Sequence, residues 1–202
     1  MNAADTVFVL VSAALVLLMT PGLGLFYGGM VRSKNVLGTL MHSYVLIGLI
    51  SIEWAILGYS MAFGSDIGGM VGGLDYLGLA GMDKPSELAK TVPHLAFMAF
   101  QMMFAVITPA LITGSVAGRM KFKSLFVFII LWSVAVYYPL AHMCWAKGGL
   151  LGLDGLGALD FAGGDVVHIS SGVSALVLCI LLGKRKDLGH AVYRIHNIPT
   201  VM

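Results

Sequence analysis

Asp160-Phe161-Ala162-Gly163-Gly164-Asp165-Val166-Val167-His168-Ile169 opens a segment that continues through Ser170, Ser171 and Gly172 and stays apolar to Leu182. From Asp165 to Gly183 this matches the roughly 20 apolar residues that cross a bilayer. One imidazole sits inside it. An ionisable group in hydrocarbon is costly and is retained where a function uses it, so the segment reads as a transmembrane helix and His168 as its working residue.

Outward from this segment, four more apolar stretches of spanning length run from Val7 to Met30, Val36 to Phe63, His94 to Gly118 and Leu125 to Trp145. Of the 202 residues, 58% are hydrophobic and 11% are charged, against about 25% charged in soluble domains. That balance excludes a soluble core. Backbone groups in hydrocarbon must pair within their own segment, so all five spans are expected as helices. The expected architecture is an all-α polytopic membrane protein with residues 1–202 in a single membrane domain. The first span is read as retained rather than as a signal peptide, because Asp5 is the only charge before it. Pro21, Pro109 and Pro139 predict kinks or short unwound turns in spans one, three and four, the kind of break where transporters place substrate.

Basic residues set the expected orientation. Arg32, Lys34, Arg119, Lys121, Lys123, Lys184, Arg185, Lys186 and Arg194, nine of the twelve, fall on one side. The expected topology is a multi-pass cell-membrane protein with its N-terminus outside and its C-terminus cytoplasmic. Cys144 and Cys179 then lie at opposite faces and cannot pair. Gly24 with Gly28, and Gly114 with Gly118, carry the small-xxx-small spacing of close helix contacts. His168, Ser171, Gly172 and Ala175 recur on one helical face, which predicts that His168 points into a packed bundle.

Phe100 and Phe104 are one turn apart, so their rings can lie one above the other. With Trp145 at the same membrane face, their π faces suit a small cation, each contact being worth roughly 0.5 to 2 kcal/mol; an interfacial aromatic belt is the alternative for Trp145. Asp160 begins the fifth helix, where a carboxylate caps free N–H groups or attracts a cation directly. Glu53 shares a helical face with His42 but is too far along the axis to touch it. It reads as a protonated or hydrogen-bonded carboxyl at a helix interface, or as a proton relay. His94 and His142, near the outer boundary, are expected to be interfacial or structural, and His190 and His196 have no metal-ligand spacing. No cofactor, metal or nucleic-acid partner is expected.

Several ordered stretches resemble one family. Thr20, Pro21 and Gly22 with the run Leu25 to Asn35 look like the first span of ammonium transporters of the Amt/Mep/Rh family, and Gly58 to Gly64 look like the end of their second. Phe100, Gln101 and Phe104 are similar to the third span, Ala141, His142, Met143 and Trp145 to the end of the fourth, and Asp160 to His168 to the family's most specific motif. Gly183 to Lys186 and His196 to Pro199 match further on. The resemblance implies ammonium/ammonia transport rather than enzymatic activity. It implies an outer site lined by Phe104 and Trp145, a stacked phenyl gate of Phe100 and Phe104, a carboxylate, Asp160, that orders the site, and His168 as the first of two pore histidines. On that resemblance the cation would be recruited outside and neutral ammonia would pass the histidine, since burial favours the neutral form of such a base. A homotrimer and a cytoplasmic regulatory protein are further implications.

Family members have about twice this length, and the chain corresponds to the first half of their eleven-helix fold. It stops before the second, inverted repeat, so alone it is expected to conduct poorly; the basic asymmetry opposes a second copy inserting upside down. Gly118 stands where the family pattern leads to a glutamate. Two other classes stay open: a membrane sensor that binds ammonium without flux, and a haem cytochrome using His42, His94, His142 and His168.

Overall fold

The computed structural model describes residues 1–185 and 194–202; Lys186 and His190 lie outside the described residues. Five helices are long and apolar enough to cross a membrane: α1 (Ala3–Met30), α2 (Ser33–Phe63), α3 (His94–Val116), α4 (Phe122–Trp145) and α5 (Gly164–Leu182). Helix α1 starts before Val7 because the Asn2 side chain accepts from the Ala4 N–H at 2.9 Å, which satisfies a free donor of the first turn. Helix α3 ends at Val116 rather than at Gly118. Gly118 has φ +70° and turns the chain, so it is not the second member of a helix-contact pair.

Helix α3 is central and packs against α1, α2 and α5, while the second half of α2 packs on the second half of α4. Close approach depends on particular glycines. A Cβ at Gly114 would stand 2.5 Å from the Tyr27 ring, and the Tyr27 hydroxyl donates to the Leu111 carbonyl at 3.0 Å. Gly24 faces Tyr44 and Gly28 faces Leu40, both on α2. Small residues thus admit neighbouring side chains where apolar attraction alone cannot choose a partner over lipid.

Of the breaks expected at proline, unwound turns are absent at Pro21 and Pro109, which lie inside continuous helices. The irregular turns are instead π-helical: Trp54–Gly58 in α2, Ser133–Tyr137 in α4 and Gly164–Ile169 opening α5. Pro139 follows the second of these.

At one end of the bundle, strands β1 (Asp66–Ile67) and β2 (Val71–Gly72) form an antiparallel hairpin with Asp66 opposite Gly72. At the other end the Arg119 guanidinium donates to the Gly183 carbonyl at 3.0 Å, to Cys179 Sγ at 2.9 Å and to the Ser115 carbonyl, joining α3 to α5. Cys144 and Cys179 are both free. A short helix α6 (Ile198–Val201) lies against α1, where the His196 and Asn197 N–H groups donate to the Gly29 carbonyl at 3.0 and 3.1 Å. A Cβ at Gly29 would meet Val201 at 2.7 Å.

Candidate functional site

The end of α4, the start of α5 and the first turns of α3 enclose a pocket of about 280 Å³ lined by Phe97, Phe100, Phe104, Trp145, Asp160 and Phe161, among others. Four residues singled out from sequence, Phe100, Phe104, Trp145 and Asp160, therefore share one cavity. The Phe100 and Phe104 rings lie 5.0 Å apart at 81°. They meet edge to face rather than stacked, the arrangement that the ring quadrupoles prefer.

The segment Asp160–His168 builds the wall through its own backbone. The Asp160 carboxylate accepts from the Gly164 N–H at 2.7 Å, the Asp165 N–H at 3.0 Å and the Val166 N–H at 2.9 Å. These are free donors at the start of α5, where the helix dipole also favours a negative charge. The Asp160 carbonyl accepts from the Trp145 indole N–H at 3.0 Å, which fixes the plane of the indole against the pocket. Gly163, at φ +82°, takes a left-handed turn that a side chain would strain. Its carbonyl accepts from the Val167 and His168 N–H groups at 3.1 and 3.0 Å.

His168 is placed differently from expectation. Its side chain is exposed in this chain rather than turned into the bundle, because α5 packs against α3 and α4 and the face through Ile169, Val173 and Leu176 is open among the described residues. Of the expected stripe, Ser171 is buried and Gly172 is exposed. The His168 Nδ1 lies 2.9 Å from the Gly163 carbonyl. A carbonyl only accepts, so this contact puts a proton on Nδ1 and leaves Nε2 of the neutral ring as an acceptor. Gly163 lines the pocket and also orients the histidine, tying the two together.

Sequence reading missed Phe97 and Phe63, whose rings meet edge-on at 5.4 Å beside the pocket. The signal for Phe97 was present, since positions 97, 100 and 104 lie on one helical face.

The other histidines hold the scaffold. Fully buried His142 places Nδ1 3.0 Å from the Ala62 carbonyl and Nε2 3.0 Å from Asp66 Oδ1. The His142 hydrogen bond, with help from the Gly69 N–H, holds the Asp66 carboxyl below the usual carboxylate range. Ser65 does the same to Asp75, through its hydroxyl and its N–H. His94 Nε2 accepts from the Tyr59 hydroxyl at 2.6 Å while its Nδ1 faces the Lys84 carbonyl at 3.0 Å. His42 stacks on Phe122 at 5.8 Å. With the ring nitrogens of His94 and His142 engaged in this way, neither is free to ligate iron. The Cys144, Asp160 and Asp165 ligand atoms lie within 4.8 Å of one another, but three of the roughly four lone-pair sites of the Asp160 carboxylate already serve backbone donors.

A profile described as the Ammonium Transporter Family matches residues 7–202. An ammonium transporter of Bacillus subtilis is 55% identical over 93% of this chain and 46% of its own length. Ammonium transporter Amt1 of Archaeoglobus fulgidus is 42% identical over the whole chain and 49% of its own length. The crystal structure of Candida albicans Mep2 superposes with a TM-score of 0.87 at 33% identity, covering 100% of this chain and 45% of Mep2. A structure titled "Sensor Amt Protein" gives a TM-score of 0.84 at 27% identity, over 98% of this chain and 50% of that one. The chain spans about half the length of the relatives it matches, and its five-helix fold is that of the corresponding part of Mep2. It is a multi-pass membrane protein that belongs to the ammonium transporter family.

Proposed function

We propose that this chain forms one half of a path for ammonium and ammonia across a cell membrane, with the 280 Å³ aromatic pocket as the recruiting site. The observation that carries this reading is the convergence of Phe100, Phe104, Trp145 and Asp160 on one cavity next to His168. Ammonium has four N–H donors and no acceptor, and aromatic faces stabilise such a cation by roughly 0.5 to 2 kcal/mol per contact. Trp145 and Phe104 hold the cation, and Asp160 acts by fixing the wall and adding negative potential. The edge-to-face Phe100–Phe104 pair is the gate. Neutral ammonia then passes the open face of α5, where His168 Nε2 accepts a hydrogen bond.

The distribution of lysine and arginine supports an outer placement of the pocket, with the N-terminus outside and the C-terminus cytoplasmic. Trimer assembly and a cytoplasmic regulatory partner are part of the same family reading.

Calorimetric titration of the purified chain with ammonium chloride tests recruitment, and methylammonium uptake in a transporter-deficient cell tests passage. Binding that disappears in Trp145→Leu and Phe104→Ala is expected; undiminished binding in both variants defeats the proposal. The fold shared with the sensor protein supports a second reading, ammonium binding without flux, which predicts binding and no uptake even when a second half is supplied.

A further inference from the structure

Two of the three π-turns flank the contact between α2 and α4. Trp54–Gly58 begins immediately after Glu53, and Ser133–Tyr137 ends immediately before Tyr138. The Tyr138 ring fills the space at Gly58: a Cβ there would lie 2.5 Å from Tyr138 Cζ and 2.9 Å from its hydroxyl oxygen. Trp54 flanks the same ring at 5.6 Å and Tyr137 at 5.9 Å.

Around this contact five side-chain oxygens are buried with no hydrogen-bond partner: both oxygens of Glu53, Ser133 Oγ and the hydroxyls of Tyr137 and Tyr138. Glu53 immediately precedes the first of these turns, Ser133 and Tyr137 bound the second and Tyr138 follows it, so the five oxygens belong to the two segments that the Tyr138–Gly58 contact joins. A carboxylate without a cation or a donor is expensive in hydrocarbon. A bound proton removes that cost without needing a cavity, because it makes the carboxyl a donor to a neighbouring hydroxyl oxygen. Single π-turns are also frequent at functional sites.

We propose that Glu53, Ser133, Tyr137 and Tyr138 form a proton-holding site inside the membrane, seated on the π-turns of α2 and α4. The site takes up one proton on a Glu53 oxygen, and that carboxyl then donates to the hydroxyl cluster. It lies between α2 and α4, apart from the open α5 face that carries His168, and it does not depend on the identity of the transported species.

Infrared spectroscopy of the whole chain in lipid bilayers, without ammonium, tests it. The expected result is a protonated-carboxyl C=O stretch at neutral pH that is lost in Glu53→Gln. Tyr138→Phe keeps the ring against Gly58 and removes its hydroxyl, so it shifts the frequency of that band. A wild-type spectrum without the band, or a band that persists in Glu53→Gln, overturns the site. An unmoved frequency in Tyr138→Phe overturns the hydroxyl contact. Should Glu53→Gln fail to fold, the Tyr138→Phe frequency decides alone. Failure of ammonium binding leaves these outcomes untouched, so the two proposals fail separately.

Discussion

Helices α3 and α5 are equally apolar, yet 56% of the most apolar stretch of α3 is buried within the chain and only 22% of that of α5. In water such a difference would show in the sequence as a polar face. In a bilayer it does not, because lipid tails are as apolar as leucine and a helix has no hydrophobic reason to choose protein over lipid. What separates the two helices is steric and polar detail. Helix α3 has Gly114 admitting the Tyr27 ring and is packed by three neighbours. Helix α5 is held at its start by the Asp160 cap and near its end by Arg119, and its Val173 and Leu176 face remains open.

The largest break in this comparison is Gly114→Ala. A methyl 2.5 Å from the Tyr27 ring carbon has to displace a ring also held by its bond to Leu111, and overpacking of this kind costs about 3 kcal/mol. Thermal unfolding in detergent reads it, and wild-type stability would show that small residues do not decide the α1–α3 contact. Next is Asp160→Ala, which strips three backbone N–H groups of their acceptor and should cost about 2 kcal/mol. Hydrogen exchange at Gly164, Asp165 and Val166 should quicken, while the amides of α3 keep their protection.

A smaller, pH-dependent effect sharpens the role of the polar ties. Asp66 has a folded-state pKa below its ordinary value. Its contribution is therefore present at neutral pH and is lost as the pH falls through that depressed value. Asp66→Asn should flatten the acid limb of a stability-against-pH curve; an unchanged limb means that the His142 contact does not hold the hairpin. Smallest is Val173→Ala on the open side of α5, expected within about 0.5 kcal/mol. A loss comparable to that of Gly114→Ala would show that the chain buries this face.

The five spans were legible because hydropathy over about 20 residues reports a bilayer directly. The pocket was legible in good part: Phe100, Phe104, Trp145 and Asp160 stand close to helix ends, where position along the chain fixes depth. The orientation of His168 was not. Periodicity says which residues share its face, and only the arrangement of neighbours says what that face meets. The π-turns were equally silent, since the fit of Tyr138 against Gly58 joins residues eighty positions apart and leaves no local pattern. Proline, the visible local signal, pointed to unwound turns at positions 21 and 109, where the helices run on.

Because three backbone donors already occupy the Asp160 carboxylate, little remains to chelate an ion that demands several oxygen ligands at once. Calcium or magnesium finds no handhold there. On the proposed reading, ammonium binding at the aromatic pocket should therefore be undiminished by millimolar divalent salts.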